Sequence, residues 1–422
     1  MKKFLSFFFA AILCVMMVAA VNAADIYVND GGTGDGTTSE APLGSMDDAI
    51  EAIAAEGGTV HIVDTYTCAD QYVEPAHAGD IVITGGKYVF TNGSFNRWYL
   101  SGEGSTTFEN ITFEYGAGTT SLIVCQFNDL IIGENVTFPG TFTQGEGESA
   151  KEVTGKCYII GGYQFASKVG DETFADLNSF MAAQEFATDL DSHVTVKSGD
   201  IWCVAGFSRQ GDTVADEEGN KTVPHFSGTA YITVDGGHVS TVYGGNINND
   251  ATAANVDITI NGGTVDTVRL SCTDDKISPI TADATLTVNN GIVTSLIMNN
   301  VLGKTVVNMN GGSIGQSAYK MDASLNEQIT DGTTTLNIAD GVTVLPGLSM
   351  NFTTVNGTVS SPIIPVITDE VVETEKVVET TAPAIDDVAT NEGGINPVVV
   401  VVIVVAVIAV VAVVVVVAKK KK

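Results

Sequence analysis

A short pattern returns along the middle of the chain. It is an apolar–polar–apolar triplet, a corner carrying glycine, then a second stretch of alternating character. It reads Ile232-Thr-Val-Asp-Gly-Gly237-His-Val-Ser-Thr-Val242, then Ile258-Thr-Ile-Asn-Gly-Gly263-Thr-Val-Asp-Thr-Val268. Next come Leu286-Thr-Val-Asn-Asn-Gly291-Ile-Val-Thr-Ser-Leu296 and Val307-Asn-Met-Asn-Gly-Gly312-Ser-Ile314. A worn copy follows at Leu336-Asn-Ile-Ala-Asp-Gly341-Val-Thr-Val344, and an earlier one is Val194-Thr-Val-Lys-Ser-Gly199-Asp-Ile-Trp-Cys-Val204. From Gly237 to Gly341 the corner glycines stand 26, 28, 21 and 29 residues apart. A period of that size denotes stacked supersecondary units. Strand alternation without an intervening helix makes each unit a β coil. The Asn-Gly, Asp-Gly and Gly-Gly pairs supply the positive φ that tight corners need.

Stacking such coils buries one face of each strand in a continuous column. Other rungs are visible at 60–63, 81–89, 107–113 and 130–138. The pattern lapses over 140–190, where 171–186 reads as an amphipathic helix on an excursion. It lapses again in the polar, acidic stretch 210–224. Excursions from a rigid scaffold are where binding usually sits. A sandwich of regular strands is the structural alternative, but the rungs are unequal and the cysteine and tryptophan spacing of immunoglobulin domains is missing.

The ends differ from the middle. Met1-Lys2-Lys3 precedes an apolar run from Phe4 to Ala20, closing on Val21-Asn22-Ala23. A charged start, an apolar core and small residues at the cut site define a secretory signal peptide over 1–23. Val398 to Ala418 holds 21 residues of Val, Ile and Ala without a charge. As a helix it would cover roughly 30 Å, the thickness of the hydrocarbon layer. Lys419 to Lys422 would then hold that end on the cytoplasmic side. Residues 361–397, rich in Val, Thr, Glu and Pro, read as a flexible stalk. The expected organisation is therefore a signal peptide at 1–23, an ectodomain at 24–360, a stalk at 361–397, a transmembrane helix at 398–418 and a basic tail at 419–422. The membrane is the partner expected for Val398–Ala418, and the plasma membrane, with the ectodomain outside, is the expected location.

Charge agrees with that division. The chain carries 19 basic and 50 acidic residues. Six of the basic ones lie at the termini, and every acid falls between Asp25 and Glu392, a net of −37 for that region. Such a field excludes nucleic acid as a partner. It is also a poor match to uronate substrates. Cys68, Cys125, Cys157, Cys203 and Cys272 are too widely spaced for a disulfide framework or a zinc site, and they read mostly as buried thiols.

The repeats, with the start of the mature region, resemble the right-handed parallel β-helix proteins of the pectin-lyase-like superfamily, and among them the adhesin-like proteins of bacterial surfaces. Ile26-Tyr27-Val28, the Asp30-Gly-Gly-Thr-Gly-Asp35-Gly turn and Ala41-Pro42-Leu43 lead into Ser45-Met-Asp-Asp-Ala-Ile-Glu-Ala-Ile53 and then Gly57-Gly-Thr-Val-His-Ile62. The resemblance implies that this stretch is an opening strand and a capping helix. Met46, Ala49, Ile50 and Ile53 share one helical face, and Ser45 suits the N-cap. The fold class expected is an all-β, right-handed parallel β-helix (solenoid) with a short N-terminal capping helix, a flexible stalk and one C-terminal transmembrane helix.

Relatives of that kind include polysaccharide lyases and hydrolases, which work through clustered carboxylates and a basic residue. Here Asp274-Asp275, followed by Lys276, is the acidic pair that offers such a cluster, no histidine precedes glycine, and no Arg-x-Lys occurs. Arg269 is the arginine nearest that pair. These three residues are the catalytic candidates of an enzymatic alternative, a divergent lyase or glycoside hydrolase. The first reading is non-catalytic: adhesion, carbohydrate binding or an envelope structural role, with a glycan or other cell-surface ligand as partner. Trp202, Phe207 and Tyr243 fall in or just after strands of adjacent repeats and are the binding candidates. No cofactor is expected, with calcium as the alternative. Asp212, Asp216, Glu217 and Glu218 gather carboxylates of the type calcium takes, without the alternating ligands and glycine of a calcium loop. Asn-x-Ser/Thr sequons occur at Asn92, Asn110, Asn135, Asn220, Asn351 and Asn356.

Overall fold

The corner glycines bend the chain where the repeat requires it. In the computed structural model Gly237, Gly263, Gly291, Gly312 and Gly341 all adopt positive φ, between 59° and 88°. The structure describes residues 24–360, apart from 69–70, 92–95, 146–149, 166–167, 170–171, 176, 184–186, 211–216, 221–222, 273–277, 299 and 319–331. All that follows concerns those residues. The expected signal peptide, stalk, Val398–Ala418 and basic tail lie outside them. No helix among the described residues is long and apolar enough to cross a membrane.

The fold is an all-β solenoid of parallel sheets. Twelve strands form one long sheet that runs from Ala24–Val28 to Thr354–Asn356. Nine strands form a second sheet, from Tyr72–Val73 to Ser313–Ala318. Parallel pairing of successive coils rules out the antiparallel sandwich. Register explains the repeat. Ile232, Ile258, Leu286, Val307 and Leu336 align rung on rung, as do Val234, Ile260, Val288, Met309 and Ile338. All ten are buried. The intervening Thr233, Thr259 and Thr287 face outward, because successive side chains of a strand alternate between its faces.

The coil changes cross-section along its length. In the early coils a third, short parallel sheet is inserted, made of Thr65–Cys68, Lys87–Phe90 and Thr112–Tyr115. The wider interior there is filled by Tyr88, Phe90, Trp98, Phe108 and Phe113, all buried. Phe113 continues onto Phe138, centroids 4.7 Å apart and ring planes nearly parallel. From Ser192 onward the corner leads directly from the long sheet to the second, and smaller aliphatic side chains fill the interior apart from Phe207 and Phe226. Within the aromatic section lies a polar knot. Glu74 accepts from Trp98 Nε1 at 3.2 Å and Thr106 Oγ1 at 3.0 Å, and meets His77 Nε2 at 3.2 Å.

The second-sheet strands of the later coils turn as they run. Val239 and Val242 are both buried although three residues apart, as are Val265 and Val268. The pairing skips the Trp202/Ser240 and Ser240/Asp266 positions between otherwise continuous registers. Each strand therefore bends there and points that side chain outward. Outside the turns, Asn310 donates to Asn289, Asn289 to Asn261 and Asn261 to Asp235, at 2.7–2.8 Å, a ladder that ties four coils.

The opening matches expectation. Met46–Ile53 is a helix whose Ser45 Oγ accepts from the Asp48 amide, and Met46, Ala49, Ile50 and Ile53 are its buried face. Backbone bonds from 34–43 close on the free edge of Ala24–Val28, which protects that edge from strand addition. The stretch 140–190 departs from the expected excursion. It contains a full rung, Lys156–Ile160, paired with Thr120–Val124, preceded by an antiparallel hairpin of Thr141–Gln144 with Lys151–Thr154. The helix there is shorter than the sequence suggests, Leu177–Ala183. The five cysteines stand as thiols, four of them buried.

Candidate functional site

The bend at position 202 sets an indole on the outside of the coil. Ile201 and Val204 turn inward, and Trp202 projects with 38 % of its surface exposed. The hairpin 141–154 rises beside it. It is fixed by Phe142 near its root, stacked on Tyr115 at 5.7 Å, and by Gln144 next to its turn, whose Nε2 donates to the Gly118 carbonyl at 3.0 Å. Between hairpin and sheet lies a cleft of about 690 Å³, lined by Thr119, Gln144, Lys151, Thr154, Lys156 and Trp202 among others. That volume is in the range of small-ligand sites. A second cleft of about 120 Å³ continues from it, lined by Gly140, Thr154, Asp200, Trp202, His238 and Ser240 among others. Trp202 and Thr154 belong to both. The sheet-side wall residues come from three successive strands, Lys156–Ile160, Asp200–Ala205 and His238–Tyr243, with Thr119 just ahead of the neighbouring strand Thr120–Val124, so the combined cleft crosses roughly 14 Å of the stack at the usual strand spacing.

The two ends of this cleft differ in charge. Lys156 Nζ sits 4.3 Å from the Trp202 ring centroid, a cation–π distance. Lys151 lines the same end. At the other end His238 Nδ1 meets Asp200 Oδ1 at 2.8 Å, and its Nε2 meets Asp266 Oδ2 at 3.1 Å. Burial opposes charge on this imidazole, but hydrogen bonds to the two carboxylates outweigh it and raise its pKa above the ordinary histidine value.

The aromatic candidates separate. Phe207 is wholly buried and stacks on Phe226 at 5.3 Å inside the coil, so it offers nothing to a ligand. Tyr243 packs on an apolar patch of the second sheet's outer face, formed by Leu122, Val124, Ile160, Cys203, Ala205 and Ile247. Arg269 lies in register with Tyr243, its guanidinium 5.9 Å from that ring. Trp202 alone of the three reaches the cleft.

Asp274, Asp275, Asp212 and Asp216 lie outside the described residues. Glu217 and Glu218 are exposed, and the described residues contain no cluster of three or more metal-ligating side chains. The residues that sequence reasoning missed are Gln144, Lys151, Lys156, Asp200 and His238. The first two carried a signal: alternating Thr-Phe-Thr-Gln and Lys-Glu-Val-Thr around a Gly-containing turn is a hairpin pattern. Asp200 and His238 both directly follow a corner glycine in aligned repeats, which puts them one above the other.

No known protein family, curated protein or solved structure matches the chain.

Proposed function

We propose that this chain is a non-catalytic glycan-binding solenoid displayed at a cell surface, with the Trp202 cleft as its ligand site. The observation that carries the reading is the indole held on the shared wall of two adjoining clefts, ringed by hydroxyl, amide and charged side chains. An aromatic face packs against the apolar face of a sugar ring, while Thr119, Gln144 and Thr154 can bond its hydroxyls. The display arm of the reading draws on the sequence: a signal peptide at 1–23, a stalk at 361–397 and a membrane span at Val398–Ala418. In the same reading the coil is right-handed and belongs with the pectin-lyase-like β-helices, adhesin-like members above all, because the repeats and the capped opening share their layout.

The test is a glycan-array screen with the full chain, wild type beside Trp202→Ala. Selective binding that the substitution abolishes supports the proposal. Failure to bind any glycan, or binding indifferent to Trp202, overturns it. Release of unsaturated or reducing sugar ends from a bound glycan would replace the non-catalytic reading with a lyase or hydrolase. Labelling of intact cells with an impermeant reagent, with and without Lys419–Lys422, tests the display arm.

A further inference from the structure

We infer that the Trp202 cleft selects glycans bearing an anionic substituent, a carboxylate or a sulfate ester, and seats that group at its hairpin end against Lys151 and Lys156. The inference rests on the glycan-binding reading and adds the charge class and the direction of the ligand.

Basic residues are scarce in this chain, 19 among 422 with a net charge of −31. Two of them nonetheless converge on one cleft from different elements. Lys151 comes from the returning strand of the hairpin, and Lys156 from the second-sheet strand that the hairpin leads into. Among the described residues neither is in an ion pair, unlike Lys87, which meets Glu114 at 2.9 Å. Lys156 instead lies over the Trp202 ring. A sugar stacked on the indole would therefore bring its substituents beside an ammonium group. Carboxylate and sulfate oxygens accept charge-assisted hydrogen bonds from such groups, which are stronger than bonds to neutral hydroxyls.

The opposite end forbids the reverse orientation. Asp200 lines the smaller cleft, and Asp266 bonds the far side of His238. An anionic group placed there would face the Asp200 carboxylate, with that of Asp266 behind His238. The charge of the whole chain does not override this local pattern. At physiological ionic strength fields decay over about 8 Å, so the nearest side chains decide.

The experiment compares three forms of one oligosaccharide backbone, neutral, carboxylated and sulfated, binding to the full chain. The anionic forms are expected to bind at least about tenfold tighter than the neutral one. That advantage should shrink on raising salt from about 0.05 to about 0.5 M. It should vanish in the Lys151→Gln/Lys156→Gln double variant, whose circular dichroism should match that of wild type. The relative affinities of the two anionic forms tell carboxylate from sulfate. Equal binding of neutral and anionic forms, or an advantage that survives both substitutions, overturns the inference while leaving the glycan reading intact. If none of the three binds and array screening is also blank, both fall together.

Discussion

The carboxylate of Glu74 and the imidazole of His77 meet at 3.2 Å inside the coil, with neither side chain reaching solvent. Trp98 and Thr106 donate to the same carboxylate, and the Gly79 carbonyl lies 2.8 Å from His77 Nδ1. A buried charge stripped of its partner is among the costliest single changes a core can suffer. Glu74→Ala is expected to lower stability by about 3–5 kcal/mol in urea denaturation. Burial opposes charge on His77, but the bonds to Glu74 and Gly79 prevail and raise its pKa. A histidine whose folded pKa is raised contributes stability that is full below its unfolded value, about 6.5, and is lost as pH rises through the folded value. Wild type should therefore lose stability between about pH 6 and alkaline conditions, and Glu74→Gln should flatten that loss. An unchanged pH profile in Glu74→Gln would show that the pair is not its source.

Corner glycines should divide into two groups by what surrounds them. A Cβ on Gly263 would lie 2.5 Å from the Gly237 carbonyl oxygen, because the corner of one coil rests on the corner before it. A Cβ on Gly341 meets nothing within 4 Å. Both residues have positive φ. Gly341→Ala is thus expected to cost only the left-handed conformation, about 1–2 kcal/mol. Gly263→Ala must also push neighbouring coils apart, and its melting temperature should fall well below that of Gly341→Ala. Equal losses would mean that coil-to-coil contact at the corner is immaterial.

The repeat made the architecture readable because period, alternation and corner residues all act locally. Ile258, Thr259 and Ile260 declare in, out, in; Gly263 declares the corner; stacking follows, since one coil cannot bury its own face. The capping helix was readable for the same reason, with Ser45 and its four apolar residues lying within one short segment. What could not be read was which outward side chain stays exposed. Trp202 and Phe207 are five residues apart in one repeat, yet a bend sends the first outside and the turn after the strand sends the second in. Nor does Lys156 announce its place over Trp202, since 46 residues separate them. Their meeting depends on Tyr158 pairing with Cys203, a register that only the stacked coils define.

Those two aromatics yield opposite expectations. Phe207→Ala removes a fully buried ring from a stack with Phe226 and should cost about 3–5 kcal/mol of stability. Trp202→Ala removes an exposed ring and should stay within about 1 kcal/mol of wild type, while losing glycan binding. Denaturation curves and binding isotherms on both variants separate the roles. A large stability loss in Trp202→Ala would make the indole a packing residue and weaken the case for the cleft.

His238 links three coils at the acidic end of the same cleft, through Asp200 below and Asp266 above. Protonated, it neutralises some of the charge of a site where two carboxylates would otherwise face each other across one side chain. Its pKa is raised, so this link too is complete below the unfolded histidine value and weakens as pH rises through the folded one. Exposure to solvent keeps the stability at stake small, on the order of 1 kcal/mol or less. The sharper readout is the titration itself. The imidazole resonance of His238, followed by NMR across the neutral range, should show a midpoint above that of an ordinary histidine. Asp200→Asn/Asp266→Asn should bring that midpoint down, because burial then acts without opposing carboxylates. A midpoint that stays put in the double variant would mean that the two carboxylates do not hold the proton.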